Sequence, residues 1–382
     1  MKKLWIGIGI LVIVALATVA IVVQTKKVPE PEVIKIGAIL PLTGPAGYIG
    51  ESLKKGMELA LDEINNAIEK ELKIEIIFED SMGDPKAGVS AWKKLSRDNE
   101  IKVCVASLSS VVNPIIPLAD KDKIPLIATV VSSKGIAEKS PWVFRFFTKA
   151  EDDAKLIAEY AYKTLGMRKV AIIHVQDEFG VSYAEVFKQV FENTGGHVVI
   201  AENFSSGETD FRTILSKIKP LDIDGIYILS YANNIASIPR QMREMGISDT
   251  ILSLGTIAQK FVIEQAGGSV EDAYYTTTAF NTFKPKTDEM KRFVKGFQQR
   301  YGSYPEYFEV FGYDIVNLIN EAIRKSGGNR SEIQRGILSI QDLKGVAGNI
   351  VVSKNGEINF PIVIRKIVNG QPSLPLLNYI SK

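Results

Sequence analysis

The chain has 382 residues, of which 46% are apolar and 24% charged, and its 46 Lys and Arg against 44 Asp and Glu leave a net charge of +2. So large an apolar share excludes a disordered chain, and so even a charge balance supplies no field for nucleic acid. The single cysteine, Cys104, excludes an internal disulfide and any thiolate-rich zinc or Fe–S centre; two histidines, His174 and His197, exclude a His-rich metal site.

The N-terminus is a separate object. From Leu4 to Thr25 there is no charge, and Lys2, Lys3, Lys26 and Lys27 flank the run. About 20 apolar residues suffice to cross a bilayer as a helix, whereas a secretory signal carries about 7–15 before its cleavage site. Ala15-Leu16-Ala17 has the small-x-small form but lies inside the run. Residues 1–27 therefore read as an uncleaved membrane anchor, with a cleaved signal peptide as the alternative. Lys2 and Lys3 place the N-terminus in the cytoplasm and the rest outside, tethered to the membrane or secreted after cleavage. Residues 28–32, with Pro29 and Pro31, form a stiff Pro-rich linker.

Beyond the linker, short apolar runs alternate with amphipathic stretches. Strands are predicted at 34–40, 74–78, 101–106, 125–131, 170–175, 225–229, 250–254 and 274–278. Their nearly continuous apolar character is that of strands buried on both faces. Helices are predicted at 51–70, 86–95, 154–165, 182–193, 211–218, 235–245, 290–301 and 307–326. In the first of these, Leu53, Met57, Ala60, Leu61, Ile64 and Ile68 recur at helical spacing. Such alternation predicts an α/β fold with parallel sheets and right-handed crossovers.

Ligands of open α/β sheets bind beyond the carboxyl ends of the strands. The segments after the first, third and fourth strands (41–50, 107–114 and 132–135) are read as loops rich in small hydroxyls and bare N–H groups. Together they suit an anion or a carboxylate; singly, each is equally a helix cap or turn. Catalytic signatures are missing: there is no phosphate-binding loop, dinucleotide fingerprint, nucleophile elbow or metalloprotease motif. His174 has no nucleophile motif beside it, and the Glu151-Asp152-Asp153 cluster reads as a helix start. No enzyme and no cofactor are implied.

Several ordered segments resemble the extracellular solute-binding proteins of ABC importers, of the type that includes the leucine/isoleucine/valine-binding proteins. They are Ile34–Pro45 followed by Gly50, Ala60-Leu61-Asp62-Glu63-Ile64-Asn65, and Glu79–Ala87 with its Asp84-Pro85 helix start. Further on come Ala171-Ile172-Ile173-His174 with Phe179-Gly180, Gly207-Glu208-Thr209-Asp210-Phe211 and Arg240–Gly246. The resemblance implies a type I periplasmic-binding fold: two doubly wound parallel-sheet lobes joined by a three-crossover hinge, here preceded by an N-terminal membrane helix. It places lobe 1 at 33–149 and 281–353, and lobe 2 at 150–280 and 354–382. By the same resemblance, hydroxyls and backbone of Ser109, Ser110, Val130 and Ser132 would hold a ligand carboxylate. Phe179 and Tyr231 would form an aromatic wall, with Tyr48 and Thr256 alongside.

One departure stands out. The family's amino-acid binders carry a Glu after the strand at 250–254 that pairs with the ligand's ammonium; here the chain reads Leu254-Gly255-Thr256. A buried ammonium without a carboxylate is poorly compensated. Either Glu151 or Asp152 substitutes, or the ligand lacks an amine and is an organic acid, an aromatic acid or an amide. The leading expectation is a capture protein for a small carboxylate-bearing solute, closing like a hinge and delivering to an ABC permease. A ligand-binding sensory ectodomain on the same fold is the alternative.

Overall fold

A strand that lies in the middle of a sheet covered on both faces must be apolar where it is covered, and β1 (Glu32–Leu40) shows this from Ile36 to Leu40. The structure, a computed structural model, describes residues 32–66, 72–97, 101–131, 133 and 135–380. The expected membrane segment at 1–27 lies outside them; among the described residues no helix is long and apolar enough to cross a membrane. Around β1 lie β2 (Leu72–Asp80), β3 (Ile101–Ser107), β4 (Leu126–Thr129) and β5 (Val143–Phe146), all parallel, in the order β2-β1-β3-β4-β5. Ile34, Ile36 and Ala38 enter one core layer and Ile39 the opposite one, so both faces are sealed. The crossovers are α1 (Gly47–Asn66), α2 (Pro85–Ser96) and α3 (Ser109–Asp122).

The third of these is a helix where the sequence reads as a loop over 107–114. Pro114 and Pro117 sit inside α3. Each removes one donor to the carbonyl four residues back, the ordinary reason to reject a helix. Here Val111, Val112, Ile115, Ile116 and Ala119 are buried against the first sheet, and that burial outweighs two missing bonds.

After β5 the chain passes to a second layered body. It opens with α4 (Ala150–Lys163), whose first turn is Glu151, Asp152 and Asp153, the acidic helix start that the sequence implied. There follow β6 (Lys169–Val175), α5 (Glu178–Asn193), β7 (His197–Phe204), α6 (Arg212–Ile218), β8 (Gly225–Leu229), α7 (Ala232–Glu244), β9 (Thr250–Leu254), α8 (Lys260–Ala266) and β10 (Tyr274–Thr278). These five strands are parallel in the order β7-β6-β8-β9-β10. Along β6 the side chains alternate between two cores, Ala171, Ile173 and Val175 on one face and Val170 and Ile172 on the other.

The chain then returns to the first body with α9 (Asp288–Tyr301), α10 (Tyr307–Ser326) and α11 (Arg330–Leu338). A small antiparallel sheet follows, β11 (Leu343–Lys344), β12 (Asn349–Val352) and β13 (Ile358–Asn359). The buried pair Arg145–Glu357, 2.8 Å apart, fastens it to β5. A third passage leads to β14 (Pro361–Val368), antiparallel to β10, with β15 (Gln371–Pro372) and β16 (Leu377–Ile380) paired on it. The second sheet is therefore parallel through β10 and antiparallel at that edge, a mixed character the parallel-sheet expectation did not include.

The axis of the first body is the contact of α1 with α10. A Cβ on Gly56 would stand 2.1 Å from the Glu309 carbonyl oxygen, and one on Gly312 would stand 2.0 Å from that of Leu53. The two helices touch backbone to backbone, and each carries ligand-facing aromatics at its N-terminal end.

Candidate ligand-binding site

The carboxyl ends of strands from both sheets face one cavity of about 450 Å³ between the two bodies. From the first body come Leu108, Ser109 and Ser110 after β3, and Val130 after β4. Ser109 and Ser110 are the first two residues of α3, so the free N–H groups of a 14-residue helix start there. Leu108 (φ 75°) and Val130 (φ 53°) both hold left-handed backbone conformations. For residues with a Cβ, and above all for β-branched Val130, this is strained at roughly 1–3 kcal/mol each. Two strained residues at adjacent strand ends redirect the chain where it borders the cavity. Ser110 Oγ also donates to the Gly83 carbonyl at 3.4 Å.

The second body supplies the opposite wall. Asp177 caps α5, accepting from Gly180 N–H at 2.9 Å, and its other oxygen accepts from the Tyr231 hydroxyl at 2.6 Å. Burial and this carboxylate push the Tyr231 phenol far above its ordinary pKa, so it remains a donor. Phe179 lies against Tyr231 with ring centroids 5.4 Å apart and against Tyr183 at 5.2 Å. The hydroxyl of Ser230 is buried and has no partner among the described residues. Leu254 and Thr256 complete this side, while Tyr48, Tyr307 and Phe308 cover the cavity from α1 and α10.

Tyr48, Ser109, Ser110, Val130, Phe179, Tyr231 and Thr256, all named from the sequence, line this one cavity. Ser132 lies outside the described residues. Glu151 and Asp152 are not in the lining; Asp152 instead pairs with Lys149 at 2.9 Å. Gly255 is turned away too, its Cβ position lying 3.0 Å from Thr277 Oγ1 and 3.2 Å from the Tyr307 ring.

The sequence reading missed Asp177, Ser230, Asn234, Thr148, Tyr307 and Phe308. Asp177 and Ser230 stand within two residues of the ends of β6 and β8, where strand ends place ligand contacts, and that signal marks both. Tyr307 and Phe308 begin a helix far along the chain, and no local signal marks them. Asp177 matters most, because it puts an acid in the cavity although positions 254–256 hold none.

Polar links cross between the bodies on both sides of the cavity. Asn113 on α3 donates to Glu178 at 2.9 Å and accepts from Lys139 at 2.9 Å. Elsewhere Lys260 N–H donates to Glu306 at 3.1 Å. Tyr48 also meets Phe261 with ring centroids 5.5 Å apart.

A family profile described as periplasmic binding protein matches residues 33–371. The chain is 24% identical over 335 residues to the Leu/Ile/Val-binding protein homolog 3 of Brucella melitensis, covering 86% of this chain and 89% of that protein. It superposes on the branched-chain amino acid transporter substrate-binding protein of Streptococcus pneumoniae in complex with isoleucine, with a TM-score of 0.83 and 24% identity, over 92% of this chain and 100% of the other. A solute-binding protein of an ABC transporter from Rhodopseudomonas palustris, in complex with 3,4-dihydroxybenzoic acid, gives a TM-score of 0.83 and 22% identity over 91% and 97%. At these identities the structural likenesses establish the fold.

Proposed function

The chain belongs to the periplasmic binding protein family, and from that premise we propose that it captures a small carboxylate-bearing solute outside the cytoplasm and delivers it to an ABC permease. The two layered bodies act as lobes that close on the solute by a hinge, and release it chemically unchanged. Residues 1–27 tether the protein to the membrane. The single observation that carries the reading is the cavity itself, where hydroxyls and a helix N-terminus of one body face aromatics and an acid of the other.

The carboxylate lies on the first body, against Ser109, Ser110 and the start of α3, where N–H groups and the helix dipole favour negative charge. An ammonium faces Asp177, and the apolar side chain packs on Phe179, Tyr231 and Tyr48. This is the geometry of an amino acid with an apolar side chain. The second reading, an amine-free aromatic acid, is favoured by two facts: no acid stands among Leu254, Gly255 and Thr256 after β9, and both Asp177 oxygens already accept hydrogen bonds.

Thermal unfolding in the presence of leucine, isoleucine, valine, benzoate or 4-hydroxybenzoate decides between them. A true ligand at a hundred times its Kd stabilises the protein by about 2.7 kcal/mol. A shift with the aliphatic amino acids alone supports the first reading, and one with the benzoates alone the second. No shift with any of them, or with a wider set of organic acids and amides, overturns the capture function.

A further inference from the structure

A second cavity, of about 630 Å³, shares Tyr307 with the first as a common wall and is also bordered by both bodies. On one side stands the β10–β14 pair. Tyr275 and Arg365 are directly opposite each other in register, so their side chains leave the sheet on the same face. Both are almost completely buried, at 1% and 2% exposure. The Arg365 guanidinium donates to the carbonyls of Ser373, Ala279 and Phe280 at 2.8–3.0 Å, and no carboxylate pairs with it among the described residues. Among the described residues its Nε has no hydrogen-bond partner, and neither has the Tyr275 hydroxyl, the Thr282 hydroxyl or Gln259 Oε1. All four residues line this cavity.

Such a concentration of orphans is costly. A buried polar group without a partner costs about 1–3 kcal/mol, and an unpaired buried charge more. The four polar atoms are themselves sealed from solvent although their residues border the cavity; a ligand that entered as these side chains turned toward it would give three donors the acceptor they lack. At the rim, Phe283 and Tyr304 are 47% and 49% exposed with ring centroids 5.3 Å apart, an apolar face left in solvent.

We propose that this cavity is a second ligand site, for a small monocarboxylate with a flat apolar body. The carboxylate accepts from Arg365 Nε–H and the Tyr275 hydroxyl, with Thr282 as a third donor. The body lies toward Phe283 and Tyr304, and Gln259 Oε1 accepts from a hydroxyl on the ligand's far end. A monoanion fits better than a phosphate, because the lining sets Glu264, Glu306 and Glu309 against Lys55, Lys260 and Arg365 and so offers no large positive excess for a dianion.

The test uses the full chain and the photoreactive probe 4-azidobenzoate, with labelled peptides mapped by mass spectrometry. Label is expected on the segments around Phe283 and Tyr304, and free benzoate should protect them. Tyr275→Phe removes a hydroxyl that has no partner, so the fold should stand, and labelling there should fall at least tenfold. Thr282→Val is the second variant should the first not fold, with circular dichroism as the check on both. Ser110→Ala, in the first cavity, should leave this labelling within twofold. Label confined to Phe179, Tyr231 and their neighbours, no label at all, or labelling in the folded second-cavity variants equal to that of the parent chain overturns the proposal. Labelling at the first cavity is scored separately, so failure here leaves the capture reading to its own experiment.

Discussion

Asp177 holds one oxygen against Gly180 N–H and the other against the Tyr231 hydroxyl. A carboxylate has about four lone-pair sites, so two remain for a ligand ammonium. Asp177→Asn keeps the shape and removes the charge. If the solute is an aliphatic amino acid, calorimetry should show affinity falling at least tenfold, about 1.4 kcal/mol. An amine-free acid should change less than threefold or bind better. The converse substitution belongs at Thr256, which lines the cavity, and not at Gly255, whose Cβ would press on Tyr307. Thr256→Glu should strengthen amino-acid binding and weaken that of benzoates; the opposite order would reject the placement of the ammonium. Much of this site was legible because its residues directly follow apolar strands, whose ends a parallel sheet must bring together. Thr256 and Asp177 both satisfy that logic, although Thr256 is implied by the family resemblance and Asp177 by neither route. Tyr307 does not, since only the return of the chain to the first body brings it to the cavity.

At the scale of elements, the α1–α10 contact is the feature on which the cavity depends most. Gly312 has no positive φ to explain it; what it lacks is room, with the Leu53 carbonyl oxygen 2.0 Å from where a Cβ would be. Gly312→Ala must push two backbones apart, and overpacking of this kind costs about 3 kcal/mol. The denaturant midpoint should fall accordingly with the slope unchanged, and ligand affinity should fall with it because Tyr48 and Phe308 ride on the displaced helices. A variant as stable as the parent would show that the helices do not touch there. The α1 and α10 periodicities were plain in the sequence, but their contact was not, because a glycine inside a helical pattern marks closeness without naming a partner. The prolines of α3 hid a helix for the converse reason: local propensity pointed one way and burial decided the other. Short strands such as β5, with Arg145 in its middle, carry too few apolar residues to announce themselves.

For the whole molecule, the two-body architecture follows from alternating buried strands and amphipathic helices, and its pH response follows from which acids that architecture buries. Burial pushes the carboxyls of Glu306 and Asp314 up to about 7 and that of Asp153 up to about 6, from ordinary values of 4.5 for Glu and 3.8 for Asp. Asp314 accepts from Val346 and Ala347 N–H, and Asp153 from the Tyr183 hydroxyl, yet desolvation outweighs these bonds. Between the ordinary and the raised values the folded chain holds more protons than the unfolded one, so stability falls as pH rises through that window. The contribution of these groups is complete near pH 4 and gone above about 7. The acids held below their ordinary values, Asp80, Asp222 and Asp342, titrate beneath this window and do not reverse its slope. Unfolding temperature should therefore be higher at pH 5 than at pH 8, contrary to a protein held together by exposed ion pairs. Glu306 is the informative position because it accepts from Lys260 N–H, one of the links between the bodies. Glu306→Gln retains an acceptor and removes the titration, so the slope between pH 5 and 7 should become shallower while stability at pH 8 rises. An unaltered slope would mean that Glu306 ionises as freely folded as unfolded, and that its carboxyl is not buried between the two bodies in solution.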